Sequence, residues 1–147
     1  MREASRERSH ANWIVSVIEK LRKGTVIVEG KHDVKALSEL GITCFTYDFA
    51  ARNIGKIARS SRVYLFFDND KGGSQKAEKL SSLIESENKQ CKVDFWTGAS
   101  LLKLLNLTSI EQIVKPTEEL VYRIRGDTYG EDLLRYSKIH GNSEFQH

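Results

Sequence analysis

Short β-branched, apolar runs alternate along this chain with segments of helical period, and this alternation constrains the fold more than any other feature. Thr25-Val26-Ile27-Val28, Ile42-Thr43-Cys44-Phe45-Thr46, Arg62-Val63-Tyr64-Leu65-Phe66-Phe67 and Lys92-Val93-Asp94-Phe95 read as four strands. The first and third lack a polar alternation, as strands covered on both faces do. Between them, Asp33 to Leu40, Ala50 to Ser60 and the stretch from Gly72-Gly73 to Glu87 read as helices. Strands that alternate with helices of about 8–15 residues imply an α/β fold with a parallel sheet.

Helical segments flank this core. Trp13, Ile14, Val17, Ile18 and Leu21 recur at helical spacing over residues 10–22, with Ser9 as a cap and Gly24 as the stop. Past Gly98, helices are expected over Ala99 to Asn106, Glu118 to Arg125 and Glu131 to Ile139, with Thr108-Ser109-Ile110-Glu111 as a capping box. At 147 residues the chain is one domain's worth. The expected division is a basic arm and packed helix over 1–23, an α/β core over 24–98, and a helical extension of the same domain over 99–147.

Composition narrows the setting. The longest apolar runs are four or five residues, far short of the roughly 20 that cross a membrane. The first eight residues are charged and carry no signal-peptide core. Two cysteines, Cys44 and Cys91, supply neither a disulfide framework nor a four-ligand zinc site. The expectation is a cytoplasmic protein without a membrane partner. The net charge of +3 comes entirely from residues 1–24, with six Lys or Arg against three Asp or Glu. Such weak basicity permits an anionic partner without requiring one.

In an open α/β sheet, ligands bind beyond the carboxyl ends of the strands. Strand one ends in Glu29-Gly30-Lys31-His32-Asp33 and strand three in Asp68-Asn69-Asp70-Lys71-Gly72-Gly73. Asp68 and Asp70 project toward one point and repel each other, which raises a pKa or calls for a cation. Mg²⁺ takes one or two carboxylates together with substrate phosphate. Glu29 completes such a site or acts as a general acid/base. Gly30 admits a ligand close to the backbone, and Gly72 and Gly73 do the same at a helix N-terminus that favours an anion.

These two segments, in this order and 39 residues apart, resemble the two motifs of the Toprim domain, shared by topoisomerases, bacterial-type primases, old-type nucleases and ribosomal-RNA maturases. The resemblance covers about residues 24–95 and is nearest to the small stand-alone archaeal Toprim proteins. It implies a Rossmann-like, four-stranded parallel sheet flanked by helices. It also implies Glu29 as acid/base or metal ligand and Asp68 and Asp70 as ligands of Mg²⁺, or of Mn²⁺. Lys31 and Asp33 fall inside the same motif. A topoisomerase's tyrosine domain and a primase's helicase and template-binding parts have no room here, so a nuclease or RNA-processing factor is the nearer analogy.

Other residues are read in that light. Arg52, Lys56 and Arg59 lie at three- and four-residue spacing in a stretch, 49–67, without an acid. They form either a phosphate-contacting helical face or an ordinary solvated one. Lys71 neutralises a phosphate or caps a turn. His32 reads as a surface residue, and His10, His140 and His147 show no metal spacing. Cys44, Cys91 and Tyr64 are expected in the core, and Phe95 and Trp96 to pack rather than to stack a base. The expected function is Mg²⁺-dependent phosphoryl transfer on RNA or DNA, with an RNA-processing or replication protein as a further partner. A non-catalytic RNA- or protein-binding Toprim module is the alternative. An aspartate-nucleophile phosphatase ranks last, because it leaves Glu29-Gly30-Lys31 unexplained.

Overall fold

The computed structural model describes residues 2–123. Four strands, β1 (Thr25–Val28), β2 (Cys44–Thr46), β3 (Arg62–Leu65) and β4 (Lys92–Asp94), form one parallel sheet in the order β2-β1-β3-β4. The expected α/β architecture is therefore present. The register pairs Val26 with Cys44, Ile27 with both Phe45 and Leu65, and Val63 with Val93. The chain runs from β1 out to the β2 edge and then crosses back to β3. The reversal of strand order thus falls between β1 and β3, where open α/β sheets bind ligands.

Alternation along the central strands builds two cores. Val26, Val28, Tyr64 and Phe66 face helices α1 (Arg2–Lys23), α2 (Lys31–Ser38) and α6 (Trp96–Leu104) through Ile14, Ile18, Leu21, Leu37 and Leu101. Ile110 and Val121 join the same cluster from a 3₁₀ turn (Ile110–Gln112) and from helix α7 (114–123). Ile27, Val63, Leu65 and Phe67 face the other way, onto α3 (Tyr47–Arg52), α4 (Ile54–Ile57) and α5 (Lys71–Glu87), through Ala50, Ile57, Ala77, Leu80 and Ile84. Phe66 and Phe67 are adjacent in sequence and buried in opposite cores. Covering on both sides explains why β1 and β3 read as unbroken apolar runs.

Several expectations need correction. The helix expected over 50–60 starts at Tyr47, because Thr46 Oγ1 accepts the Phe49 N–H. It breaks at Asn53, whose backbone (φ −129°, ψ 44°) is not helical and whose amide donates to Phe49 O. The helix expected from Ala99 starts at Trp96, since Asp94 accepts from both the backbone and the hydroxyl of Thr97. Trp96 is 71% exposed rather than packed. Where a capping box from Thr108 was expected, a 3₁₀ turn over Ile110–Gln112 precedes α7, with Ser109 rather than Thr108 at its N-cap and no side-chain cap bond. The helix expected over Glu131 to Ile139 and the end of the one over Glu118 to Arg125 lie outside the described residues. Cys44, Cys91 and Tyr64 are buried as expected. Among the described residues, no helix is long and apolar enough to cross a membrane.

The double core carries a stability prediction. Phe66→Ala and Phe67→Ala empty different layers, and each should cost about 3–5 kcal/mol in urea denaturation. Leu83→Ala, at a position 39% exposed, should cost under about 1 kcal/mol.

Candidate functional site

β1 and β3 pair in parallel, so the segments that follow them leave the same edge of the sheet side by side. The half-buried Glu29 carboxylate spans the gap. Its Oε1 accepts the Asp68 N–H at 2.9 Å, and its Oε2 meets Lys76 Nζ of α5 at 3.3 Å. The Asp68 N–H therefore points at a side chain instead of a further strand residue.

Three more carboxylates are held in the same manner. Asp68 Oδ1 accepts the Ile110 N–H at 3.0 Å, while the Asn69 N–H donates to Thr108 O at 2.9 Å. These two bonds strap the 108–110 segment across the end of β3. Asp70 caps α5 by accepting the Gly73 N–H on Oδ1 at 2.7 Å. Asp33, only 6% exposed, accepts the Gly30 N–H on Oδ2 at 3.3 Å.

The fields of these groups overlap. Burial, and then the charges of Asp68, Glu29 and Glu111, push the Asp33 pKa up to about 6 against the opposing Gly30 hydrogen bond. Burial also raises the pKa of Asp68, reinforced by Glu29, Asp70 and Glu111 and opposed by the Ile110 amide. A dense negative site bordered, among the described residues, by one bound ammonium, that of Lys76, attracts cations. Among the described residues no set of three or more His, Cys, Asp or Glu side chains forms a metal cage. Asp68 Oδ2 and Asp70 Oδ2 accept no hydrogen bond within the described residues. Two hard oxygens of this kind suit Mg²⁺ held by one or two carboxylates plus water or phosphate, and do not suit an all-protein cage.

Sequence reasoning placed the acidic residues at one edge, and there they are. Of the two glycines named together at the start of α5, only Gly73 is sterically required. A Cβ on Gly73 would collide with the Asp68 carbonyl oxygen and approach Glu29 Oε1 to 3.2 Å, whereas one on Gly72 would lie 3.5 Å from Asp70 Oδ1. Gly30 has open space where a Cβ would stand, so its side is accessible to a ligand. Lys31 and Lys71 are exposed first residues of α2 and α5. Arg52, Lys56 and Arg59 are exposed but share no helical face, because the break at Asn53 separates Arg52 from Lys56 and α4 ends before Arg59. Lys56 Nζ instead lies 5.8 and 5.5 Å from the ring centroids of Phe45 and Phe49. His32 is exposed, as expected. Lys76 and Glu111 were missed, and no local spacing marks them; the direction of α5 and the strap from Thr108 bring them in.

Two predictions follow from this geometry. Gly73→Ala should cost about 2–4 kcal/mol, whereas Gly72→Ala should change stability by less than about 1 kcal/mol, both read by denaturant melts. The second concerns pH. Folded Asp33 retains a proton that the unfolded chain has released between about pH 4 and 6. Stability must therefore fall as pH rises through that window, and the cost persists above it. Asp33→Asn keeps an oxygen for the Gly30 N–H and removes the charge. Measured in chelator, it should gain about 1–3 kcal/mol over wild type at pH 8, with the gain shrinking toward pH 4.

Compared with known proteins, the chain matches no family model and no curated protein. A solved structure of a protein from Aquifex aeolicus aligns with it at 31% identity and a TM-score of 0.55, over 69% of this chain and 95% of that one. At that identity, over nearly the whole length of the relative, the chain belongs to the same family as the Aquifex aeolicus protein.

Proposed function

We propose that the chain is a Toprim-type phosphoryl-transfer domain that uses Mg²⁺, or Mn²⁺, to cut RNA or DNA as a nuclease or RNA-processing factor. The observation that carries this reading is the 2.9 Å bond between Glu29 Oε1 and the Asp68 amide. It joins, at the point of strand-order reversal, the two segments on which the Toprim resemblance rests. The bound ion would supply positive charge against the phosphodiester and its attacking or leaving oxygen.

The protein's own groups divide the remaining work. Asp68 and Asp70 offer one uncommitted oxygen each to the ion. Glu29 is anchored through Oε1, so Oε2 is the oxygen that takes or gives a proton once Lys76 yields it. Exposed Lys31 and Lys71, with Arg52, Lys56 and Arg59 further along the surface, contribute to holding phosphates. The open side of Gly30 and the exposed Gly72 leave room for the substrate backbone. A cytoplasmic setting and an RNA-processing or replication partner belong to this reading.

One observation favours a second reading, a Toprim fold that binds RNA or protein without catalysis. The Lys76 ammonium pairs with the Glu29 carboxylate at 3.3 Å and so competes with its service as an acid/base. A cleavage assay on single- and double-stranded RNA and DNA, with and without Mg²⁺, decides between the two. Metal-dependent cleavage should vanish in Asp68→Asn and fall by roughly 10²–10⁴ in Glu29→Gln with nucleic-acid affinity retained. Calorimetry should show weaker Mg²⁺ binding in both Asp68→Asn and Asp70→Asn. Unchanged metal affinity in both variants would remove the aspartates from the ligand set, and binding without any turnover would favour the non-catalytic module.

A further inference from the structure

Beside the carboxylates, along the free edge of the sheet, lies a cavity of opposite character. It measures about 600 Å³ and opens between α2 and the edge strand β2. Val34 and Cys44 line its apolar wall, together with the rings of Phe45 and Phe49. These two rings stack, with centroids 5.2 Å apart and planes 14° from parallel. Among the described residues no carboxylate lines the cavity, whereas Lys31 and Lys35 do. The ammonium of Lys56 lies over the same two rings.

The cavity adjoins the acidic site. Thr46, in its wall, pairs in register with Val28, the residue before Glu29, and Lys31 follows Glu29 by two positions. A ligand with a flat apolar portion and negative charge matches this lining, and a nucleotide has both. A peptide strand added to β2 would be held by main-chain bonds, of which a three-residue strand offers few, and would have no use for the lysines. A duplex offers a base to a pocket only by unpairing and unstacking it, a cost that a single strand does not bear.

We propose that this cavity receives an unpaired base of a single-stranded nucleic acid, with Lys31 and Lys35 on the flanking phosphates. The assignment rests on the nucleic-acid reading above and defines its substrate as single-stranded where it meets the site. The base sits against the Phe45 and Phe49 rings, and the strand continues past Lys31 toward Glu29.

The test is fluorescence anisotropy of the full chain with labelled 10-nucleotide single strands of RNA and DNA, and with the same sequences as duplexes, all in EDTA. Chelation separates binding from cleavage. Phe45→Leu and Phe49→Leu keep the wall apolar and remove the stacking surface. Each should weaken single-strand binding roughly 5- to 100-fold and leave duplex binding within about twofold. Should either leucine variant melt early, Lys35→Ala, at an exposed position that lines the cavity, reads the pocket without touching the phosphate contacts assigned to the acidic site. That lysine variant should flatten the salt dependence of single-strand binding by roughly 0.7 in log–log slope. Single-strand binding with these losses, but no cleavage once Mg²⁺ is added, upholds the pocket and rejects the nuclease. Wild-type affinity in both the leucine and the lysine variants overturns the pocket, even if the protein proves to be a nuclease. Absence of single-strand binding by the wild type also overturns it. So does a change confined to self-association or peptide binding, which would assign the edge to a protein strand.

Discussion

The hydrogen bond from the Asp68 amide to Glu29 Oε1 joins the ends of the two central strands, and the arrangement of the acidic edge depends on it. β1 and β3 are bound along their length by the sheet ladder, but beyond Val28 and Leu65 their segments separate into two helices. Glu29 replaces the missing ladder with a side chain. It thereby sets where Asp68 begins its turn, and Gly73 must then pass beneath the Asp68 carbonyl with no room for a Cβ.

The same solution recurs around the site. Glu29, Asp33, Asp68 and Asp70 each give one oxygen to a backbone N–H, from Asp68, Gly30, Ile110 and Gly73 respectively. Amides offset part of the cost of gathering like charges, because a neutral donor stabilises an anion without consuming its charge. Burial first, and the neighbouring carboxylates after it, still raise the pKa values of Asp33 and Asp68. A site built in this way retains a strong attraction for a cation. Lys76, the one ammonium bonded to it among the described residues, reaches Glu29 from a largely exposed position, where ion pairs contribute little stability and are readily exchanged.

Charge is sorted by position along the sheet. Acids gather where the strand order reverses, while Lys31, Lys35 and Lys56 surround the aromatic edge at β2. On the proposed nucleic-acid reading, a polyanion with flat bases would meet attraction at the edge and repulsion at the centre. The two regions are complementary parts of one surface, joined through the short stretch from Glu29 to Lys31.

Much of this was legible in the residues alone. β1 appeared with the limits expected, because a β-branched run between Gly24 and Gly30 has few other ways to fold. The parallel order followed from strands that alternate with helices, and the acidic edge followed from motifs directly after two of them. What sequence spacing misread were places where one side chain outweighs periodicity. Asn53 breaks a helix that Arg52, Lys56 and Arg59 were expected to share, and Asp94 starts another three residues early. Local pattern determined which residues stand at the ends of the strands. Only the tertiary structure decided that Lys76 and Glu111 join them, that Gly73 has no room for a Cβ, and that Phe45 and Phe49 form a lysine-rimmed cavity. Those outcomes depend on how α5, the 108–110 strap and the β2 edge pack against the sheet, and contacts between distant segments leave no periodic trace in the chain.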